Sequence, residues 1–99
     1  MLLIVGTIRF SPENLLRARP AMRGLIEATR QEKGCLAYNY SEDVLDPGLI
    51  HIDEMWEDQT AFDGHLKAAH VAEWRRVNPE FAITDRNLRI YEAGEARPI

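Results

Sequence analysis

Residues 2–10, Leu-Leu-Ile-Val-Gly-Thr-Ile-Arg-Phe, are apolar on both alternating faces of an extended chain. Leu3 and Val5 fall on one side, and Leu2, Ile4, Ile8 and Phe10 on the other. A strand of this kind has to be covered on both sides. The chain has only 99 residues, and a domain of that size buries roughly 60–70% of the surface its unfolded form exposes. Helices packed on one face of a sheet leave the other face to be covered by something else.

The remaining elements follow from local signals. Ser11-Pro12-Glu13 reads as a helix start, with Ser11 at the N-cap, Pro12 at the first helical position and Glu13 at the positive end of the dipole. Leu15, Ala18, Met22, Leu25, Ile26 and Thr29 then share one stripe about 100° wide. Pro20 lies opposite that stripe, so the helix is expected to bend rather than divide. Glu32-Lys33-Gly34 is the expected end, with Gly34 in the left-handed conformation. Cys35 to Asp43 reads as a second strand, with Leu36, Tyr38 and Tyr40 on one face and Cys35, Ala37 and Asn39 on the other. Asp46-Pro47-Gly48 makes a turn. Leu49 to Trp56 returns as a third strand, with Ile50, Ile52 and Trp56 alternating against His51, Asp53 and Met55.

Asp58 suits the N-cap of a second helix running from Gln59 to Asn78 with a stripe of Phe62, Leu66, Ala69 and Val77, and Pro79 ends it. Ile83 to Glu92 is a last strand in which Leu88, Ile90 and Tyr91 are the packing candidates. The order βαββαβ predicts one α+β domain over residues 1–99, with a core of about 2–92 and a loose tail at 93–99. In this ferredoxin-like arrangement both helices cover one face of an antiparallel sheet. The apolar first strand would then leave a hydrophobic patch on a monomer, and a two-fold homodimer packed sheet on sheet removes it.

Composition narrows the function classes. A net charge of −4, with Arg17, Arg19 and Arg23 and the pair Arg75-Arg76 interspersed among acids, argues against nucleic acid as a partner. The single cysteine, Cys35, excludes an intramolecular disulfide and reads as a packing residue. The opening MLLIVGTIRF is too short to span a bilayer and lacks a basic leader, so no membrane association is expected and the expected location is cytoplasmic.

One pattern extends through nearly the whole chain: Glu32-Lys33-Gly34-Cys35-Leu36-Ala37-Tyr38, Asp46-Pro47, Glu54-Met55-Trp56, and Ala61-Phe62 with His65-Leu66 and His70. It resembles the antibiotic biosynthesis monooxygenase family of dimeric α/β barrels, including the small quinol monooxygenases. The resemblance implies a cofactor-independent monooxygenase that oxidises a quinol or small polyphenolic aromatic with O₂, using neither metal nor flavin. It equally admits a non-catalytic ligand-binding dimer or an isomerase on the same scaffold, because fold does not fix function. The haem-degrading branch that it also resembles uses an Asn, a Trp and a His where this chain has Thr7, His65 and Arg75, which argues against haem chemistry.

The pocket implied by the resemblance lies between helices and sheet. His65, at the edge of the second helix's apolar stripe, is the candidate catalytic base, since histidine titrates near neutrality; the alternative is a histidine that merely caps the core edge. His70 would lie about 140° further round a continuous helix, so the two rings are not expected to share a metal. It reads mainly as structural, and is retained as a substrate contact beside Trp56, Phe62 and Trp74, which sandwich a planar ligand or simply fill the core. Tyr38 and Asn39 are substrate-binding candidates on opposite faces of their strand, so only one set can line the pocket. Glu54 reads as half of an ion pair with an arginine such as Arg9, or as a base. A charged ligand would require an arginine such as Arg9 or Arg89 to point inward.

Overall fold

The computed structural model, which describes residues 1–99, places the two-sided strand in the middle of the sheet. In chain order the elements are β1 (Leu2–Arg9), α1 (Pro12–Thr29), β2 (Cys35–Glu42), β3 (Leu49–Trp56), α2 (Gln59–Leu66), α3 (Ala69–Val77), a 3₁₀ turn (Asn78–Phe81) and β4 (Thr84–Glu92). The four strands pair antiparallel in the order β2-β3-β1-β4, with the helices on one face. This is the ferredoxin-like α+β fold.

Local chemistry explains each end. Ser11 Oγ accepts from the Asn14 backbone N–H at 3.2 Å, and Asp58 Oδ1 accepts from that of Ala61 at 2.8 Å, so both expected N-caps form. Helix α1 continues through Pro20 but stops at Thr29, earlier than the Glu32-Lys33-Gly34 expected from sequence. Gly34 is left-handed (φ 83°) in the turn that feeds β2, where an added Cβ would lie 2.5 Å from that of Ala61. The β2–β3 turn is closed by Asp43, whose Oδ1 accepts from the backbone N–H groups of Leu45 and Asp46. Arg9 reaches across to grip Asp46 with two bonds, at 2.8 and 3.1 Å.

Three sequence expectations change. The helix expected over Gln59–Asn78 is two helices. Lys67 and Ala68 donate backbone bonds to Gly64 and His65, tightening the last turn of α2, and Ala68 is extended (ψ 147°) while its carbonyl starts α3. The break turns Leu66 outward, 39% exposed, and brings His65 inward at 4%. In β2 the register against β3 slips between Cys35 and Ala37. Leu36 is the extra residue of this bulge and is exposed, so it leaves the face that holds Tyr38 and Tyr40. Of the three packing candidates in β4, Leu88 joins the core, whereas Ile90 and Tyr91 stay about half exposed.

The core lies between the helices and the sheet. Ile8, Phe10, Ile50 and Ile52 meet Leu15, Ala18 and Met22 at one end; Leu2, Ile4, Tyr38 and Trp56 meet Leu25 and Val71 at the other. The opposite face carries Val5 (39% exposed) and Tyr91 (48%), together with Leu3 and Met55, and nothing in the chain covers it. No helix is long and apolar enough to cross a membrane.

Gly6 is required where β1 and β4 approach. A Cβ there would lie 1.8 Å from the carbonyl oxygen of Asn87, inside the backbone of the neighbouring strand. Gly24, inside α1, has open space around it. Gly6→Ala should therefore lower the melting temperature by roughly 5–20 °C, the effect of overpacking in a domain of this size. Gly24→Ala should raise it by about 2–6 °C through helix propensity. Differential scanning calorimetry of both variants checks the pair.

Candidate functional site

Between the sheet and the α2–α3 pair lies a cavity of about 480 Å³, within the usual range for small-molecule sites. Its walls are mainly apolar, with Ile4, Ile8 and Ile52 from the sheet, Val71 and Trp74 from α3, and Leu88 from β4. The polar groups number few, and they converge. The hydroxyls of Tyr38 and Tyr40 stand 3.3 Å apart on β2, with Glu54 on the adjoining strand and His65 on α2. Five of the eight residues singled out from sequence line this cavity: Tyr38, Glu54, Phe62, His65 and Trp74.

His65 is held more firmly than its sequence position suggested. Its ring lies 4.7 Å from that of Trp56 and 5.3 Å from that of Tyr38, centroid to centroid. Its Nδ1 is 2.7 Å from Glu32 Oε2, in the turn after α1. The carboxylate oxygen accepts, so Nδ1 carries a proton, and Nε2 bonds to nothing in the chain. His70 Nε2 donates to the same oxygen at 2.9 Å. The expectation that His65 and His70 point about 140° apart assumed one continuous helix; the break at Lys67-Ala68 removes that assumption. Glu32, His65 and His70 offer one carboxylate oxygen and two ring nitrogens within 4.8 Å of one another, the one grouping in the chain with the donors of a metal centre. As they stand, both rings donate to the carboxylate oxygen, at 2.7 and 2.9 Å.

The other three residues lie elsewhere. His70 is outside the cavity, on the far side of Glu32. Trp56 is fully buried beneath the wall and donates its Nε1–H to Glu54 Oε1 at 3.0 Å. Asn39 is on the open face of the sheet, between Asp53 and Arg30, as strand alternation requires once Tyr38 points inward. Glu54 is not paired with Arg9, which is occupied by Asp46 at the far end of β1.

Burial pushes the Glu54 carboxyl upward, while the Trp56 bond, His65 and Arg86 draw it back. Burial likewise raises the Tyr40 hydroxyl to about 12 and lifts Tyr38 further, so both remain protonated donors at neutral pH. Arg86, Arg75, Asn78 and Ile83 also line the cavity and were not singled out as site residues. Arg86 had a readable signal, since it shares alternation parity with Leu88 and Ile90 on β4.

A raised carboxyl has a definite consequence for stability. Above the ordinary value of 4.5, the unfolded chain releases the Glu54 proton while the native state still holds it, so stability falls as pH rises through that interval. Compared with Glu54→Gln, the wild type should lose stability progressively from pH 4.5 upward until the folded carboxyl ionises. Urea midpoints of the two proteins between pH 4 and 8 check this, and parallel profiles would contradict it.

Comparison with known proteins agrees with this architecture. The model of the antibiotic biosynthesis monooxygenase family matches residues 1–77. A crystal structure from Deinococcus radiodurans, described as a candidate antibiotic biosynthesis monooxygenase, superposes with a TM-score of 0.90 at 36% identity, covering 100% of this chain and 98% of that one. A protein of Mycobacterium tuberculosis shares the fold with a TM-score of 0.84 at 20% identity, covering 98% of each chain. An uncharacterized protein of Synechocystis is 22% identical over 98 residues, 99% of this chain and 67% of its own length. With the family pattern running from β1 through α3, and the fold matched end to end in a relative at 36% identity, this chain belongs to the antibiotic biosynthesis monooxygenase family.

Proposed function

We propose that the protein is a cofactor-independent monooxygenase acting on a quinol or small polyphenolic aromatic. The observation that carries this reading is the Glu32–His65 pair. A buried imidazole lines an apolar cavity with its Nδ1–H fixed on a carboxylate at 2.7 Å, which leaves Nε2 as the proton acceptor. The family membership and the Deinococcus radiodurans relative support the general monooxygenase role.

In the proposed reaction His65 takes the proton of a ring hydroxyl, and the resulting phenolate is electron-rich enough to pass an electron to O₂. Recombination at a ring carbon that bears hydrogen gives a peroxide. Its O–O bond breaks with loss of that hydrogen, leaving a carbonyl and releasing water. For a dihydroxynaphthalene the balance is C₁₀H₈O₂ + O₂ → C₁₀H₆O₃ + H₂O. The aromatic supplies all four electrons, so no further reductant enters. Tyr38 and Tyr40 stay protonated; one hydroxyl donates to the other, and the second serves as the donor to the developing oxyanion. Apolar walls keep water from the peroxide.

The same reading includes a homodimer. The uncovered sheet face with Val5 and Tyr91 is apolar enough to need a partner, and a second copy offers the matching patch. Light scattering should give a dimer for the wild type and a monomer for Val5→Glu at micromolar concentration. A monomeric wild type would refute the pairing.

Oxygen uptake with a panel of hydroquinones and naphthols, on protein treated with chelator, tests the reaction. His65→Ala should slow it by roughly tenfold or more, in the lower part of the range for acid–base contributions. Uptake no faster than autoxidation of the same compounds would overturn the oxygenase and leave a ligand-binding dimer.

A further inference from the structure

The arginines of this chain divide by what they hold. Arg9, Arg19, Arg23 and Arg76 each grip a carboxylate, and Arg17, Arg30 and Arg75 donate to backbone or amide oxygens. Arg86, Arg89 and Arg97 donate to nothing in the chain. Arg97 lies in the terminal segment. Arg86 and Arg89 both border the cavity, but Arg89 pairs opposite Val5, on the parity of the open face, whereas Arg86 shares the parity of Leu88 and Ile90.

A second feature marks the same spot. The β1–β4 register slips between Thr7 and Arg9, so that Asp85 and Arg86 together oppose Ile8. Asp85 sits at φ 49°, a left-handed conformation that a non-glycine side chain adopts at a cost. Bulges beside cavities re-aim a side chain, and this one sets the residue that follows it at the cavity mouth. Within the cavity the only carboxyl is Glu54, which burial holds toward its neutral form, against the arginines 75, 86 and 89. The apolar interior suits aromatic rings, and the mouth suits an anion.

Resting on the reading of this cavity as the substrate site, we propose that its ligand is an aromatic carboxylate, a hydroxylated one- or two-ring acid whose carboxylate is gripped by Arg86 at the mouth while the hydroxylated ring lies inward toward His65. The planar guanidinium fork matches a carboxylate in two parallel bonds. Arg75, lining the cavity from α3, adds a second positive charge to the site. A neutral quinol of the same size gains the apolar contacts alone.

Isothermal titration calorimetry under nitrogen, with 6-hydroxy-2-naphthoate and 2-naphthol as probes, tests this without any turnover. The wild type should bind the carboxylate about tenfold more tightly than the naphthol, the size of a charge-assisted hydrogen bond. Arg86→Gln should bring the two affinities to within about twofold of each other, and Arg97→Gln, with the same change in net charge, should keep the preference. Should Arg86→Gln not fold, the wild-type preference must still shrink as salt rises from 20 to about 500 mM, because an exposed ion pair is screened. Equal affinities in the wild type, a preference that survives Arg86→Gln, a preference that ignores salt, or no binding of either probe would each overturn the proposal. A carboxylate preference without oxygen uptake would sink the oxygenase and leave the anion site standing; uptake with no preference would do the reverse.

Discussion

Two imidazoles on separate helices, His65 on α2 and His70 on α3, donate to one oxygen of Glu32 in the turn between α1 and β2, at 2.7 and 2.9 Å. Three segments distant in sequence meet at that atom. The His65 side chain is 5% exposed and that of Glu32 16%, so these bonds lie largely away from water, where a hydrogen bond to a charged group contributes about 1.5–3 kcal/mol. Losing Glu32 would leave both ring N–H groups without their partner. The interaction also fits the break at Lys67-Ala68: a continuous helix would hold the two rings on different faces, whereas the extended Ala68 lets α3 swing so that both reach the carboxylate.

The cavity inherits its chemistry from that joint. With Nδ1 committed to Glu32, His65 has only Nε2 free, and its tilted packing against Trp56 and Tyr38, with Phe62 stacked beside it, fixes the plane of the ring. Glu32 accepts two N–H bonds, while Glu54 has a single donor, Trp56, and burial pushes it toward its neutral form. Tyr38 and Tyr40 complete a protonated wall. Polarity therefore runs from a fixed imidazole and protonated tyrosines inside to free guanidinium at the mouth.

Much of the frame was legible from periodicity and caps. The two-sided apolar run of β1, the Ser11 and Asp58 caps, the Asp46-Pro47-Gly48 turn and the alternation of β3 all lead to the observed order of elements, because each depends on neighbours within a few residues. His65, Tyr38, Phe62, Trp74 and Glu54 were legible as residues of the cavity, though not what each would touch. Asn39 failed once the face of β2 was settled, since alternation sends it outward. The Glu54–Arg9 pairing failed because Arg9 sits at the far end of β1, beside Asp46.

What the sequence determined by itself is the βαββαβ order of strands and helical segments and the need to cover both faces of β1, since these follow from local propensity and from the count of apolar side chains. What only the tertiary structure decided is where the elements stop and which side chains meet: the end of α1 at Thr29, the break between α2 and α3, the bulges at Leu36 and Asp85, the shared Glu32 oxygen, and Arg86 at the cavity mouth. Each is a compromise between backbone preference and long-range contact. Single-residue slips of register or helix phase are nearly neutral locally, and the energy that chooses among them comes from partners distant in sequence.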